Sequence, residues 1–305
     1  MSDSRATARS LVRRSRPRAP RVLVTGAGGF LGRHVVRQLR QHRVPVAVYA
    51  GDVRQMGAYR RRFDVVCHLA GITKMDARYS LQDLYDVNVN GTLAVLDYCQ
   101  RTEARCVLAS SSAVYRPAAN PRAVLDEEAM AEPVSPYGVS KLVAEGLCRY
   151  GAEHRGVSVM VLRIFNPYGP AQPPEFLMPY VLQQVVRGEP VVLRTPNAVR
   201  DFVYVADASQ AIAQACTVVG ERYLVLNIGS GVGISVRELV GRLAAHLEVR
   251  AVIREPDASP EDSVVADIRR AVRRLPWRPV TTLAQGVARI LRAAARHHQS
   301  LAQRC

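Results

Sequence analysis

From residue 21 onward, short apolar runs with β character alternate with longer runs whose apolar residues recur at helical spacing, and this restricts the chain to few folds. Arg21–Thr25, Val44–Ala50, Asp64–Ala70, Cys106–Ser110 and Ser158–Phe165 read as strands. Phe30–Gln41, Asp86–Arg101 and Pro136–His154 read as helices. Strands separated by helices predict parallel pairing, with helices covering both faces of one sheet. The expected fold class is α/β, a doubly wound parallel sheet with a smaller mixed α/β lobe.

The regularity breaks after residue 166, where Pro167, Pro170, Pro173, Pro174 and Pro179 crowd a segment that reads as irregular chain. Beyond it, Asp201–Val205 and Leu224–Ile228 read as strands, and Ala208–Val218, Ile234–His246 and 282–297 as helices. The expected division has three parts. Residues 1–20 are a basic disordered tail, 21–166 with about 200–230 bind a dinucleotide, and 167–199 with 231–305 form a C-terminal substrate lobe.

With 305 residues, 48% of them hydrophobic, the chain can bury a large core. No run of about 18 uncharged apolar residues exists, so no membrane span is expected. The net charge is +16, but Lys74 and Lys141 are the only lysines among 42 basic residues, and the arginines are spread along the chain. That spread argues for a basic surface rather than a nucleic-acid groove. Arg13-Arg14 lies in the arginine-rich start of the chain, but no apolar segment follows to make it a twin-arginine export signal. The six cysteines form no CxxC pair and no metal spacing, and most sit in apolar runs such as Val65-Val66-Cys67. A reducing, cytoplasmic setting without a metal is the expectation.

Val22–Thr25 leads into Gly26-Ala-Gly-Gly29-Phe-Leu-Gly32 and then a helix. Gly26 permits a tight turn, Gly29 lets backbone approach a pyrophosphate, and Gly32 lets the helix pack on the strand. The helix start then offers free N–H groups and a positive dipole end. Further along, Ser135-Pro136-Tyr137-Gly-Val-Ser-Lys141 opens a helix, with Ser135 as cap and Pro136 in the first turn. Spacing i, i+4 puts Tyr137 and Lys141 on one face. An ammonium ~4 Å away at an effective dielectric constant of ~20 contributes ~4 kcal/mol, which would lower the Tyr137 pKa by about three units. That predicts a phenol able to exchange protons near neutrality. Ser110-Ser111-Ser112 closes a strand on the side where open α/β sheets bind ligands.

The GxxGxxG spacing resembles the extended short-chain dehydrogenase/reductase superfamily, and within it the NAD-dependent epimerase/dehydratase group, from about residue 21 to 295. His68-Leu-Ala-Gly71, Asn88-Val-Asn-Gly-Thr92, Arg163–Pro170, Arg200–Val205 and Asn227–Gly231 follow in the family's order. The resemblance implies a Rossmann domain with Ser111, Tyr137 and Lys141 as the catalytic group. It places Gly26, Gly28, Gly29, Phe30, Leu31, Gly32, Asp52, Val53, Leu69, Ala70, Gly71, Asn88, Ala109, Tyr137, Lys141 and Phe165 at the cofactor. Thr73, Ser111, Ser112, Tyr137, Asn166, Leu177 and Arg200 are placed at a nucleotide-linked sugar. Ser112 and Ala113 stand where family dehydratases resemble an Asp-Glu pair, which disfavours a 4,6-dehydratase. A homodimer formed through two helices, 136–154 among them, is also implied.

The chain departs from the family in three places. Val44–Ala50 runs straight into Gly51-Asp52-Val53-Arg54, so a strand or loop found in many relatives is expected to be lost. Asp52 can meet a ribose 2′-OH or the adenine, and Arg33 or Arg54 a 2′-phosphate, leaving NAD and NADP both open. Ser259-Pro-Glu-Asp262 replaces the Arg-x-Gly-Asp segment whose arginine holds a diphosphate in relatives, so Arg254 or Arg200 must substitute. Residues 193–199 lack the glycines of the usual Gly-Asp-Gly turn. The expected activity is epimerisation at C4 of a nucleotide sugar through a keto intermediate. The rivals are an NADPH-dependent ketoreductase of a 4-keto-deoxysugar or other small ketone, and a non-catalytic Rossmann sensor or RNA-binding protein.

Overall fold

The computed structural model describes residues 18–73, 78–254 and 262–302. The main sheet holds β1 (Val22–Thr25), β2 (Val46–Tyr49), β3 (Val65–His68), β4 (Arg105–Ser111), β5 (Val159–Ile164) and, after the lobe strands, Tyr223–Ile228, which is β10. Their order is β10-β5-β4-β3-β1-β2, with every pair parallel. β1, β3 and β5 are buried along their whole length, as expected of strands covered on both faces. β2 is an edge, and Val48 on it is 45% exposed. No further strand separates β2 from Asp52, which caps a 3-10 turn over Val53–Ala58.

Helix α1 (Phe30–Gln41) buries Val35, Val36 and Leu39 in a core shared with Ala208, Ala211 and Ile212. The opposite face is covered by α3 (Gly91–Thr102) and α4 (Pro136–His154), which bury Val95, Leu96, Tyr98, Ala144, Cys148 and Ala152. The helix expected at Asp86–Arg101 begins earlier: α2 (Leu81–Tyr85) starts with a Ser80–Asp83 capping box and passes through a π-turn at Asp86–Asn90 into α3.

The lobe strands are β6 (Pro167–Tyr168), β7 (Val191–Val192), β8 (Val199–Asp201), β9 (Val203–Tyr204), β11 (Gly233–Ser235), β12 (Ile253–Arg254) and β13 (Ser263–Val264). They pair as β11-β8-β13, β12-β7 and β6-β9. Helix α5 (Leu177–Arg187) corrects the reading of the proline-rich segment as irregular throughout. Pro179 falls in its first turn, where no intrahelical N–H donor is required. Helices α6 (Val205–Thr217), α7 (Val236–His246), α8 (Arg269–Arg274) and α9 (Leu283–Ala302) complete the chain.

Residues 199–204 pair within the small sheets, and the chain rejoins the main core through α6 and β10. After β13 it returns once more. Ala271, Leu275 and Trp277 lie in the main core beside α6, and the Trp277 indole donates to Asp207 O at 2.8 Å.

Candidate active site

A cleft of about 980 Å³ runs along the carboxyl ends of the main strands and under the lobe. A recess of about 440 Å³ adjoins it past the glycine turn. Gly26 and Gly28 line both.

The turn forms because its glycines admit no side chain. Gly26 has φ +67°, and a Cβ there would lie 2.5 Å from Ala70 N. At Gly32 a Cβ would meet Gly26 O at 2.1 Å. Gly28, by contrast, faces open space. Helix α1 starts at Gly29 with no side-chain cap and no acid in its first turn, so its N–H groups and dipole are free for an anion. These features fit a dinucleotide pyrophosphate lying across the turn.

Behind the turn a chain of hydrogen bonds fixes the neighbouring backbone. Thr25 Oγ1 accepts the Leu69 and Ala70 N–H groups at 3.2 Å each and therefore gives its own proton to His68 Nδ1 at 2.8 Å. His68 Nε2–H then donates to Thr92 Oγ1 at 3.2 Å, and Thr92 donates to Asn88 O at 2.6 Å. Burial lowers the His68 pKa to about 3, so the ring is a neutral brace.

At the reaction end, β4 delivers Ser111, whose Oγ accepts the Ala113 N–H at 3.1 Å and which lines the cleft together with Tyr137. Ser135 Oγ caps α4 through the Gly138 N–H at 3.1 Å, which presents Tyr137 and Lys141 to the cleft. Lys141 is buried, and its Nζ donates to Ala109 O at 2.9 Å. Burial lowers the Lys141 pKa to about 8, against an opposing pull from Glu145. Tyr137 differs from expectation. Burial raises its pKa, the nearby Ser111 hydroxyl opposes this, and Lys141, whose Nζ donates to Ala109 O, does not pull the phenol down. The chain's own groups therefore keep Tyr137 protonated at neutral pH.

Glu145, one turn beyond Lys141, is buried in a second network. It accepts Ser110 Oγ at 2.5 Å and the Arg163 guanidinium at 2.7–3.1 Å. Arg163 continues to Tyr115 OH at 2.8 Å, and Tyr115 to Asn227 Oδ1 at 2.8 Å. This ties β4, α4, β5 and β10 together directly behind the serines.

Most residues expected from sequence converge here. Gly26, Gly28, Gly29, Phe30, Leu31, Gly32, Leu69, Gly71, Thr73, Ala109, Ser111, Ser112, Tyr137, Lys141, Asn166, Leu177 and Arg200 line the cleft, while Asp52, Val53 and Ala70 line the recess. Two expected residues line neither. Phe165 is fully buried against Tyr115, because strand alternation turns Ile164 to the cleft instead. Asn88 stands behind the wall, clamping Ile72 N and O at 2.8 and 2.9 Å and bonding Ser140 Oγ at 2.9 Å.

Sequence reasoning did not single out Tyr79, Phe176, Met178 or Phe202, which give the substrate end its apolar wall, nor Tyr49 in the recess. Arg78 and Glu175 approach to 3.8 Å on that wall. Arg200 Nη1 bonds Asp262 Oδ1 at 2.6 Å, so the acid that replaces the family's diphosphate-binding segment engages Arg200 itself. Residues 259–261 lie outside the described residues, as do 1–17 of the basic tail and Lys74.

Over residues 22–229 the sequence matches the NAD dependent epimerase/dehydratase family. A UDP-glucose 4-epimerase of Azospirillum brasilense is 30% identical over 89% of this chain and 90% of its own. A GDP-6-deoxy-D-mannose reductase of Pseudomonas aeruginosa is 30% identical over 89% of this chain and 96% of its own. The solved structure of MoeE5 in complex with UDP-glucuronic acid and NAD superposes with a TM-score of 0.81 at 30% identity, covering 91% of this chain and 99% of that one.

Proposed function

The chain belongs to the NAD dependent epimerase/dehydratase family, and from that premise we propose that it epimerises a nucleotide sugar at C4 through a transient ketone. It is an enzyme of the nucleotide-sugar epimerase and oxidoreductase type. The observation that carries the finer reading is the convergence of Ser111, Tyr137 and Lys141 on the same cleft as the glycine turn.

The glycine turn and the start of α1 would hold the pyrophosphate of a bound dinucleotide, and Lys141 its ribose. A bound nicotinamide supplies the hydride acceptor and then the hydride donor. As the phenolate, a form the chain's own groups do not favour, Tyr137 would take the proton of the sugar hydroxyl as the ketone forms and return it on reduction, while Ser111 would hydrogen-bond the reacting oxygen. Ser112 and Ala113 supply no acid/base pair for elimination of water. The cleft gives the keto sugar room to turn between the two half-reactions. Arg200, held by Asp262, and Arg78 face the phosphate end of such a substrate.

Exposed Leu93 on α3, with Val143 and Tyr150 on α4, supports pairing with a second copy through these helices. One observation favours the second reading, reduction of a 4-keto sugar: Tyr137 is held protonated, the form that donates to a ketone.

Tyr137→Phe should lower turnover by several orders of magnitude and leave dinucleotide binding intact. Unchanged turnover would sink the mechanism. NAD released on denaturing the purified protein favours the epimerase. A site that takes up added NADPH in preference to NADH favours the reductase.

A further inference from the structure

Charge is distributed unevenly along the cleft. Among the described residues lining it, the cations are Arg33, Arg78, Lys141 and Arg200, and the one carboxylate is Glu175. Arg33 belongs to α1 beside the glycine turn, and its Nε donates to Gly29 O at 3.3 Å. Lys141 belongs to the catalytic group. Arg78 and Arg200 are left for the phosphate end of a substrate, and each of them already faces a carboxylate. Arg78 Nη2 lies 3.8 Å from Glu175 Oε1, and Arg200 Nη1 lies 2.6 Å from Asp262 Oδ1. In a chain of net charge +16, that end of the cleft therefore sets two carboxylates against two guanidinium groups among the described residues. Arg254, the other candidate from the sequence, sits in β12 against β7 and is not among the residues lining the cleft.

Asp262 is the firmer of the two partners. The Val199 N–H donates to Asp262 O at 2.7 Å, and the next residue, Ser263, pairs with Val199 where β13 joins β8. The ladder thus fixes where Asp262 stands relative to Arg200. The Arg200 and Asp262 side chains are 22% and 25% exposed, so water and salt screen the pair only in part. Among the described residues, the side-chain hydrogen bonds of Arg200 all leave from Nη1, to Val199 O at 2.9 Å, Asp262 O at 3.4 Å and Asp262 Oδ1. The guanidinium is held at one corner with a carboxylate beside it. A phosphate approaching its other edge meets a cation whose field is largely cancelled.

We propose that Asp262 is a specificity-determining residue, which lets the site accept a sugar-esterified diphosphate and reject the free nucleoside diphosphate. The free form ends in a phosphate monoester whose second ionisation lies near pH ~6, so at neutral pH it carries more negative charge than its sugar ester. That extra charge sits on the terminal phosphate, where Asp262 repels it and offsets the attraction of Arg200. An uncompensated Arg200 would favour the more highly charged species instead. The inference rests on the nucleotide-sugar reading given above and extends it to the ligand that the site excludes.

The test is isothermal titration calorimetry on the full-length, NAD-supplemented protein with three ligand pairs: UDP-glucose and UDP, GDP-mannose and GDP, dTDP-glucose and dTDP. The pair whose sugar nucleotide binds most tightly is carried forward. The wild type should bind that sugar nucleotide at least about threefold more tightly than the free diphosphate. Asp262→Asn keeps an acceptor for Arg200 Nη1 and the backbone bond to Val199, and removes only the charge. It should tighten the free diphosphate about tenfold and the sugar nucleotide by less, so that the order reverses. Should that variant lose its fold, the wild-type order alone decides. The proposal is overturned if the wild type binds the free diphosphate as tightly as its sugar ester, or if folded Asp262→Asn leaves their ratio unchanged. A wild type that binds none of these ligands overturns instead the nucleotide-sugar reading on which the inference stands.

Discussion

Lys141 is a buried cation, disfavoured by burial and supported by the Glu145 carboxylate. Its proton is held less tightly in the folded chain, with a pKa of about 8, than at the unfolded value of 10.5. Between those pH values the unfolded chain carries more protons, so this group's contribution to stability improves as pH rises. Activity should run the other way, because the ammonium that holds the ribose disappears as pH rises through about 8. The alkaline limb of kcat/KM is therefore expected near pH 8. Glu145→Gln removes the charge that supports the ammonium and should move that limb to lower pH. A limb that stays in place would show that the Glu145 charge does not act on Lys141 in the working enzyme. The same change leaves Arg163 buried without its partner, at a cost of about 3–5 kcal/mol, so the melting temperature should fall as well. Glu145→Asp should recover part of both effects.

At the scale of elements, catalysis depends on how closely the start of α4 sits against the turn after β4. A Cβ on Gly138 would lie 2.2 Å from Ala113 O and 2.8 Å from the Pro133 Cβ, so Gly138→Ala must push the helix outward and carry Tyr137 with it. Turnover is expected to fall about 100-fold, since small misplacements of a reacting group have effects of that size, while circular dichroism stays unchanged. Full turnover in that variant would mean that Tyr137 does not need this packing.

These elements were readable in the sequence because each is local. Gly26–Gly32 writes a turn and a helix start within one segment, and Ser135-Pro136 with Tyr137 and Lys141 fits in two helical turns. What the sequence hid is either a local override or a distant meeting. Prolines 173, 174 and 179 masked α5, although the last of them falls in the first turn, where proline is tolerated. The π-turn at Asp86–Asn90 let a helix begin before the run of regular spacing. Arg200 and Asp262 meet through the β8–β13 pairing, and Lys141 turns to Ala109 rather than Tyr137. Neither fact is encoded near the residues concerned.

For the molecule as a whole, Leu93 at 39%, Val143 at 40% and Tyr150 at 57% exposure leave an apolar stretch on the α3 and α4 side. Light scattering on the purified protein should give the mass of a dimer, and Tyr150→Arg with Val143→Glu should give a monomer. A wild-type monomer would leave that surface without the assigned partner. The two parts of the molecule are also less separable than their layout suggests. The chain crosses to the lobe, and after β13 it returns to place Ala271, Leu275 and its single tryptophan in the main core. Asp207 receives that return, accepting the Val280 and Thr281 N–H groups at 3.1 and 2.8 Å. A chimera that exchanges everything beyond residue 230 to graft in another specificity would therefore extract three core side chains from the part it meant to preserve. Lobe grafting in this protein calls for two cuts, one on each side of 231–265, with the recipient's own tail rejoined after the insert.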